Sequence, residues 1–219
     1  MVIEELVEST ARKALVEVPE EVVQADLSRY VDKAIELGAS DAIIVPADWV
    51  VVDERARLKC YIPKCYAYGH SPYCPPNTPE PEFMRKAFSR FKWAILIRHD
   101  VTPVEDFTGN GWAKDHSKHH RKIFEVIGKL ESLASVDGYH FATGFAAGSC
   151  IHELCNGNDC RILNGGTCPH NLRARPSMEA VSIDVYNLVA KVGWDIYACH
   201  VADGVTIPSA MSVGLLFVH

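Results

Sequence analysis

Seven of the eight cysteines fall in two short segments, spaced Cys60-x4-Cys65-x8-Cys74-Pro-Pro and Cys150-x4-Cys155-x4-Cys160-x7-Cys168-Pro. The first segment cannot form a regular element. From Lys59 to Asn77 it carries four prolines and four tyrosines and no acidic side chain, and each proline fixes φ and removes a backbone donor. A fold must therefore be assembled from the chain on either side, and the segments must be held by something other than a backbone ladder. A disulfide, a zinc site and an iron–sulfur cluster are the physical candidates.

Composition weighs against the first of these. At 219 residues, with 48% hydrophobic and 23% charged side chains, the chain can bury a core without covalent staples. Its start, MVIEELVESTARKAL, is acidic and amphipathic and offers no signal-peptide core. No run approaches the roughly 18 apolar residues of a membrane span. These features predict a cytoplasmic protein without membrane attachment, where clustered thiols more often mean metal or redox chemistry than disulfides. A net charge of −6 with no basic face argues against nucleic acid as a partner.

Hydrophobic periodicity supplies the elements. Ile3, Leu6, Val7, Ala11, Ala14 and Leu15 share one helical face, and Val22, Val23, Leu27, Tyr30, Val31 and Ala34 form a second stripe that Gly38 ends. Strands are expected at Ala42–Pro46, Trp49–Val52, Trp93–His99, Tyr139–Gly148, Asp195–His200 and Val213–His219. Helices are expected from Pro81, along the Ile123, Ile127, Leu130 and Ala134 stripe, and from Ile183 to Gly193. This alternation predicts an α/β class: a single-domain sandwich, residues 1–219, around a mixed β-sheet. It carries N-terminal helices over 1–38 and two cysteine-rich cluster-binding loops, about 55–80 and 148–180. Both loops follow strands, so they are expected to meet at one end of the sheet.

The choice of metal turns on spacing and charge. Structural zinc sites bring cysteines in as close pairs separated by a longer stretch, and neither group has that form. Three or four thiols in one loop, the last followed by proline, are closer in kind to ferredoxin-type ligation. From Arg55 to Pro79 there are four cations (Arg55, Arg57, Lys59, Lys64) and no acid, and from Cys160 to Met178 three (Arg161, Arg173, Arg175) and no acid. Both are positive islands in a negative chain, suited to the negative charge of thiolate-ligated clusters. Zinc is the lesser alternative.

Other candidates carry less. His116 and His120 have a zinc-compatible spacing but no third ligand in sequence, which favours a solvated face. His70, His152 and His170 lie in the cysteine loops and read as loop histidines bonded to backbone. Cys199 reads as a small buried hydrophobe in a strand, and GNGWAK (Gly109–Lys114) as a turn.

Three stretches, RLKCYIPKCYAYGHSPYCPPNTPEPEF, GFAAGSC and ARPSMEAVSIDV, resemble the signatures of an uncharacterised family catalogued as predicted metal-binding proteins, domain of unknown function 2284. The resemblance runs from about Gly38 to the C-terminus. It implies that Cys60, Cys65, Cys74, Cys150, Cys155, Cys160 and Cys168 ligate iron–sulfur clusters. It also implies a setting in anaerobic metabolism, associated with one-carbon and corrinoid chemistry. The segment Arg175–Ala180 belongs to the resemblance without an assigned role, and the spacing around Cys150 is looser than the family's. By ligand count, the second group completes one [4Fe–4S] cluster. The first group supplies three ligands to another, with Cys199, His70, another residue or an exogenous ligand as the fourth. The expected function is electron transfer to, or reductive activation of, a redox protein or partner enzyme. Two alternatives stand beside it: a cluster enzyme with an open iron, and a zinc-stabilised binding module. In the open-iron case Arg57, Lys59 and Arg175 would hold a small anionic ligand and Glu179 would move a proton, so Arg175 and Glu179 are the weak catalytic candidates.

Overall fold

The computed structural model describes residues 11–14, 17–108, 116–199 and 206–219. The expected N-terminal helix therefore lies largely outside the described residues, as does the turn at Gly109–Lys114; Ala11 and Ala14 have no regular structure.

The elements run α1 (Glu20–Glu36), β1 (Asp41–Pro46), α2 (Glu54–Leu58), α3 (Pro81–Phe88), β2 (Trp93–Asp100), α4 (His116–Val136), β3 (Thr143–Phe145), α5 (Cys150–Glu153), α6 (Val185–Lys191) and β4 (Met211–Phe217). Helix α1 opens with Glu20 and Glu21 in its first turn and has Lys33 in its last, charges that suit the helix dipole. It ends because Gly38 sits at φ +97. There the Gly38 and Ala39 N–H groups bond back to the Ile35 and Ala34 carbonyls, the double closure of a Schellman cap. Proline starts α3, as its sequence predicts.

The four strands lie in the order β1-β2-β4-β3. The α/β sandwich is present, but the sheet expected to be mixed pairs antiparallel at all three junctions. One isolated parallel bridge, Ala146 to Ser177, continues beyond β3. Strand alternation sends Ile95, Ile97 and Leu216 to one face, where α1 and α4 cover them. It sends Ala94, Leu96, Val213, Leu215 and Phe217 to the other, against α3, α6 and the Met178–Ile183 segment. Gly144 and Gly214 let α4 lie close on the sheet. A Cβ at either would stand 2.4 or 2.7 Å from an isoleucine of that helix.

Three strand expectations change. Trp49–Val52 is not a strand: Ala47–Trp49 makes a 3-10 turn, and Val52 keeps a single bridge to Ile183. Asp53 then accepts from the Arg55 N–H and starts α2, turning the chain away from the sheet. The strand expected at Tyr139–Gly148 is confined to Thr143–Phe145. Residues 195–199 form no strand. Cys199 is accordingly not buried in a strand. It is partly exposed, packs against Val101, Phe107 and Ala210, and turns its thiol to the Tyr197 carbonyl at 3.5 Å. Among the described residues no helix is long and apolar enough to cross a membrane.

Candidate metal centre

The two cysteine segments meet beside β3, one of the two edge strands. Cys74 and Cys150 are the two buried thiols, and they lie at the junction. The Cys74 Sγ stands 3.3 Å from the Ser149 Oγ. Ser71, fully buried, directs its hydroxyl to both thiols. The Tyr66 ring packs edge-on to the His152 ring at 4.3 Å, and the Thr78 hydroxyl donates to the Ala180 carbonyl at 2.9 Å. The expected meeting of the two loops is therefore a feature of the fold, made by hydroxyls and rings that stand next to cysteines in sequence.

Local geometry explains how the second loop curls. Ser149 leads into the single turn of α5, after which the Cys155 N–H returns to the Cys150 carbonyl at 3.1 Å. Asn156 and Gly157 follow at φ 53 and 78, a left-handed pair that asparagine and glycine tolerate best. The Asn158 amide then donates to the Cys155 carbonyl at 2.7 Å. Further on, the His170 N–H donates to the Cys168 Sγ at 3.3 Å. Backbone donors turned toward sulfur are what a thiolate site requires.

The outcome is a cavity of about 690 Å³ whose wall includes all four cysteines of the second group, together with Tyr73 from the first. Asp159 is the single carboxylate among the described residues lining it. Cys60, Cys65 and Cys74 form the neighbouring set. Burial pushes the Cys60 thiol up to about 11, with Cys65, Glu179 and Cys74 adding to the rise and Arg57 opposing it. Burial pushes Cys150 up to about 12, against the Ser71 hydroxyl, and the charges of Cys74, Cys155 and Cys160 push the same way. Burial likewise raises Cys74 and Cys155. The charge of Cys74 adds to the rise at Cys150, and that of Cys160 to the rise at Cys74, so these effects reach from one loop to the other. Ligation requires that they lose their protons.

Among the described residues, no three histidine, cysteine, aspartate or glutamate side chains are grouped so as to hold a metal ion. The thiols line a space rather than converge on a point. As a donor set they still suit a thiolate-bound metal group: four soft sulfurs on one wall, one carboxylate, and a backbone N–H already on sulfur.

The weaker candidates are placed as follows. Arg175 is committed to a bidentate pair with Glu131, at 2.5 and 2.8 Å, and also donates to the Asn171 and Ala174 carbonyls. It fastens the second loop to α4. Glu179 lies near Cys60, and desolvation holds its carboxyl above the ordinary range despite hydrogen bonds from its own backbone and Ser177. Arg57 is buried beside Cys60 and donates to the Pro79 carbonyl at 3.3 Å and to Glu80 at 3.2 Å. Lys59 and His70 are exposed. The Arg173 guanidinium donates to His170 Nδ1 at 3.1 Å. His116 and His120, expected on a solvated face, are buried at 7% exposure each, because the first turns of α4 pack against α5 and β4. Ser71, Ser149, Gly128 and Glu153 were not singled out by sequence reasoning. The signal available was adjacency: a serine one or three residues before a cysteine, and one acid inside Cys150–Cys155.

A model of the family described as "Predicted metal-binding protein (DUF2284)" matches residues 43–218. No curated protein matches the chain, and no solved structure does.

Proposed function

We propose that this chain, which belongs to the family of predicted metal-binding proteins DUF2284, binds two [4Fe–4S] clusters on its cysteine loops and serves electron transfer to, or reductive activation of, a partner enzyme. The observation that carries this reading is the shared wall: Cys150, Cys155, Cys160 and Cys168 all face one cavity. These four would hold one cluster, and Cys60, Cys65 and Cys74 would supply three ligands to the other. Such clusters supply one-electron chemistry over about −700 to +450 mV, set by charge, hydrogen bonds to sulfur and exposure.

The chain's own residues act on those three determinants. Arg57 places positive charge beside Cys60. The His170 N–H donates to the Cys168 sulfur, and Ser149 and Ser71 place hydroxyls at the buried thiols between the loops. Pro72 and Tyr73 bring the first loop into the lining of the cavity. Leu163 and Tyr66, at 47% and 52% exposure, leave apolar surface near the loops on which a redox partner can dock.

The test is reduction of anaerobically purified protein with dithionite, followed by EPR. The expected result is a reduced-cluster signal that returns to the oxidised state on addition of an electron acceptor. Cys155→Ser and Cys168→Ser should remove the part of the signal that belongs to the second loop. A protein that is silent before and after dithionite and holds zinc instead would overturn the proposal.

A further inference from the structure

Cys60 and Cys65 sit within a ridge of large exposed side chains. Leu58, Tyr61, Ile62 and Tyr66 are 49%, 40%, 66% and 52% exposed, and Lys59, Pro63 and Lys64 between them are exposed as well. Apolar surface gathered this closely marks an interaction site, where scattered apolar residues do not. The ridge also has a fixed shape. The Tyr61 and Ile62 N–H groups donate to the Leu58 carbonyl at 2.9 and 3.0 Å, and the Cys65 N–H to the Cys60 carbonyl at 3.1 Å. The Tyr61 ring packs edge-on to Tyr68 at 5.0 Å. A surface already ordered loses little conformational freedom on binding, and tyrosine adds contact area at low entropic cost.

Charge decides what such a surface accepts. The acids flanking the loop are each met by an arginine: Asp53 by Arg55, Glu54 by Arg85 and Glu80 by Arg57. Between Arg55 and Pro79 the sequence has no acid at all. Among the described residues no carboxylate pairs with Lys59 or Lys64, and the Lys64 ammonium lies 5.1 Å over the Tyr68 ring. The chain as a whole is negative, with a net charge of −6. An acidic partner is therefore repelled by the molecule at large and drawn to this ridge, which fixes where it lands. A basic partner finds better places elsewhere.

We propose that the ridge from Leu58 to Tyr66 is the docking face for an acidic protein, one that presents carboxylates around an apolar spot. The docking face presupposes the electron-transfer function and adds the partner's chemistry and landing place. Leu58, Tyr61, Ile62 and Tyr66 supply the apolar contact, and Lys59 and Lys64 the steering charge. Cys60 and Cys65 are partly exposed inside the ridge, so a partner seated there lies over the three-cysteine loop. A ridge this short fits the small, short-lived interfaces of redox encounters.

The test reads binding rather than electron flow; failure of the iron–sulfur function shows separately, in metal content and EPR. Full-length protein is titrated with oxidised plant-type ferredoxin, an acidic carrier, and with cytochrome c, a basic one, at about 10 and about 150 mM salt. The ferredoxin should bind at low salt and weaken by about tenfold or more at the higher salt. Lys59→Glu/Lys64→Glu should weaken it by at least about tenfold while leaving cytochrome c no weaker. Ile62→Ser should weaken the ferredoxin by about fivefold at both salts. Lys13→Glu/Arg90→Glu, the same change of net charge at exposed positions outside the loop, should weaken it by less than about threefold. The ridge positions are exposed, so these variants should fold; circular dichroism checks this, and the salt dependence of the wild-type protein carries the test for any that does not. No ferredoxin binding at low salt, or equal weakening by the two double variants, would overturn the proposal. So would binding to phosphatidylserine vesicles, to a single-stranded oligonucleotide or to a second copy of the chain that Lys59→Glu/Lys64→Glu abolishes, with none to ferredoxin.

Discussion

Asp26 ties three parts of the chain together. Its buried carboxylate accepts from Arg12 at 2.7 Å, Arg29 at 2.9 Å and the Tyr139 hydroxyl at 3.0 Å. Arg29 and Tyr30 also reach Asp137 at the end of α4. Desolvation works to raise the Asp26 carboxyl, but the hydrogen bonds from Arg29, Arg12 and Tyr139 outweigh it, and the group is held below its ordinary range. A carboxyl depressed in the folded state contributes stability that is complete above its unfolded value, about 3.9. That contribution is lost as pH falls through the folded value. Acid unfolding should therefore steepen below about pH 4 in the wild-type protein. Asp26→Asn should flatten that limb and lower stability at neutral pH by about 2 kcal/mol, read from urea unfolding across pH. The cost is moderate because Arg12 and Arg29 are 44% and 42% exposed and recover water when released. Sequence reading placed Val23, Leu27, Tyr30 and Ala34 in the core and passed over Asp26 on the same helix. A charged residue reads as surface unless its partners are visible, and Tyr139 and Asp137 lie more than a hundred positions away. The buried histidines of α4 escaped for the same reason.

At the scale of elements, α4 is the platform for the second cysteine loop. Gly128, in the middle of that helix, is where the loop rests: a Cβ there would stand 2.5 Å from the Leu172 carbonyl oxygen. The Glu131–Arg175 pair lies one turn further along. Replacing glycine by alanine in a helix ordinarily gains about 1 kcal/mol. Here the clash is with backbone, which no rotamer change relieves, and overpacking of this kind costs about 1–3 kcal/mol. Gly128→Ala should therefore destabilise despite its better propensity, and should open the 160–172 segment to limited proteolysis sooner than in the wild-type protein. Equal or slower cleavage would show that the loop does not depend on this contact. The helices were largely legible because their apolar stripes and stop signals are local: the glycine stops of α1 and α6 and the proline start of α3. The strands at Trp49–Val52 and Asp195–His200 were misread because short apolar runs fit a turn against the core as well as a strand. What separated them was the Asp53 cap in one case and, among the described residues of the other, the packing of Trp194 and Ile196 against the core cluster that holds Leu96, Val213 and Leu215.

For the whole molecule, the sheet serves to bring two distant loops to one edge. The α/β class and the grouping of seven cysteines were legible, since both are written in periodicity and spacing. The strand order β1-β2-β4-β3 was not. It places the C-terminal strand between β2 and β3, a pairing decided by tertiary packing. That order puts the edge strand β3 directly before the second loop, and the Ala146–Ser177 bridge brings the loop's far end back beside it. The contact between Cys74 and Ser149 follows from this arrangement. The proposed function requires those thiols to hold iron and sulfide together. The most direct measurement is the iron, acid-labile sulfide and zinc content of protein purified under strict anaerobiosis. Two [4Fe–4S] clusters predict about eight irons per chain with matching sulfide; zinc without sulfide would contradict the account.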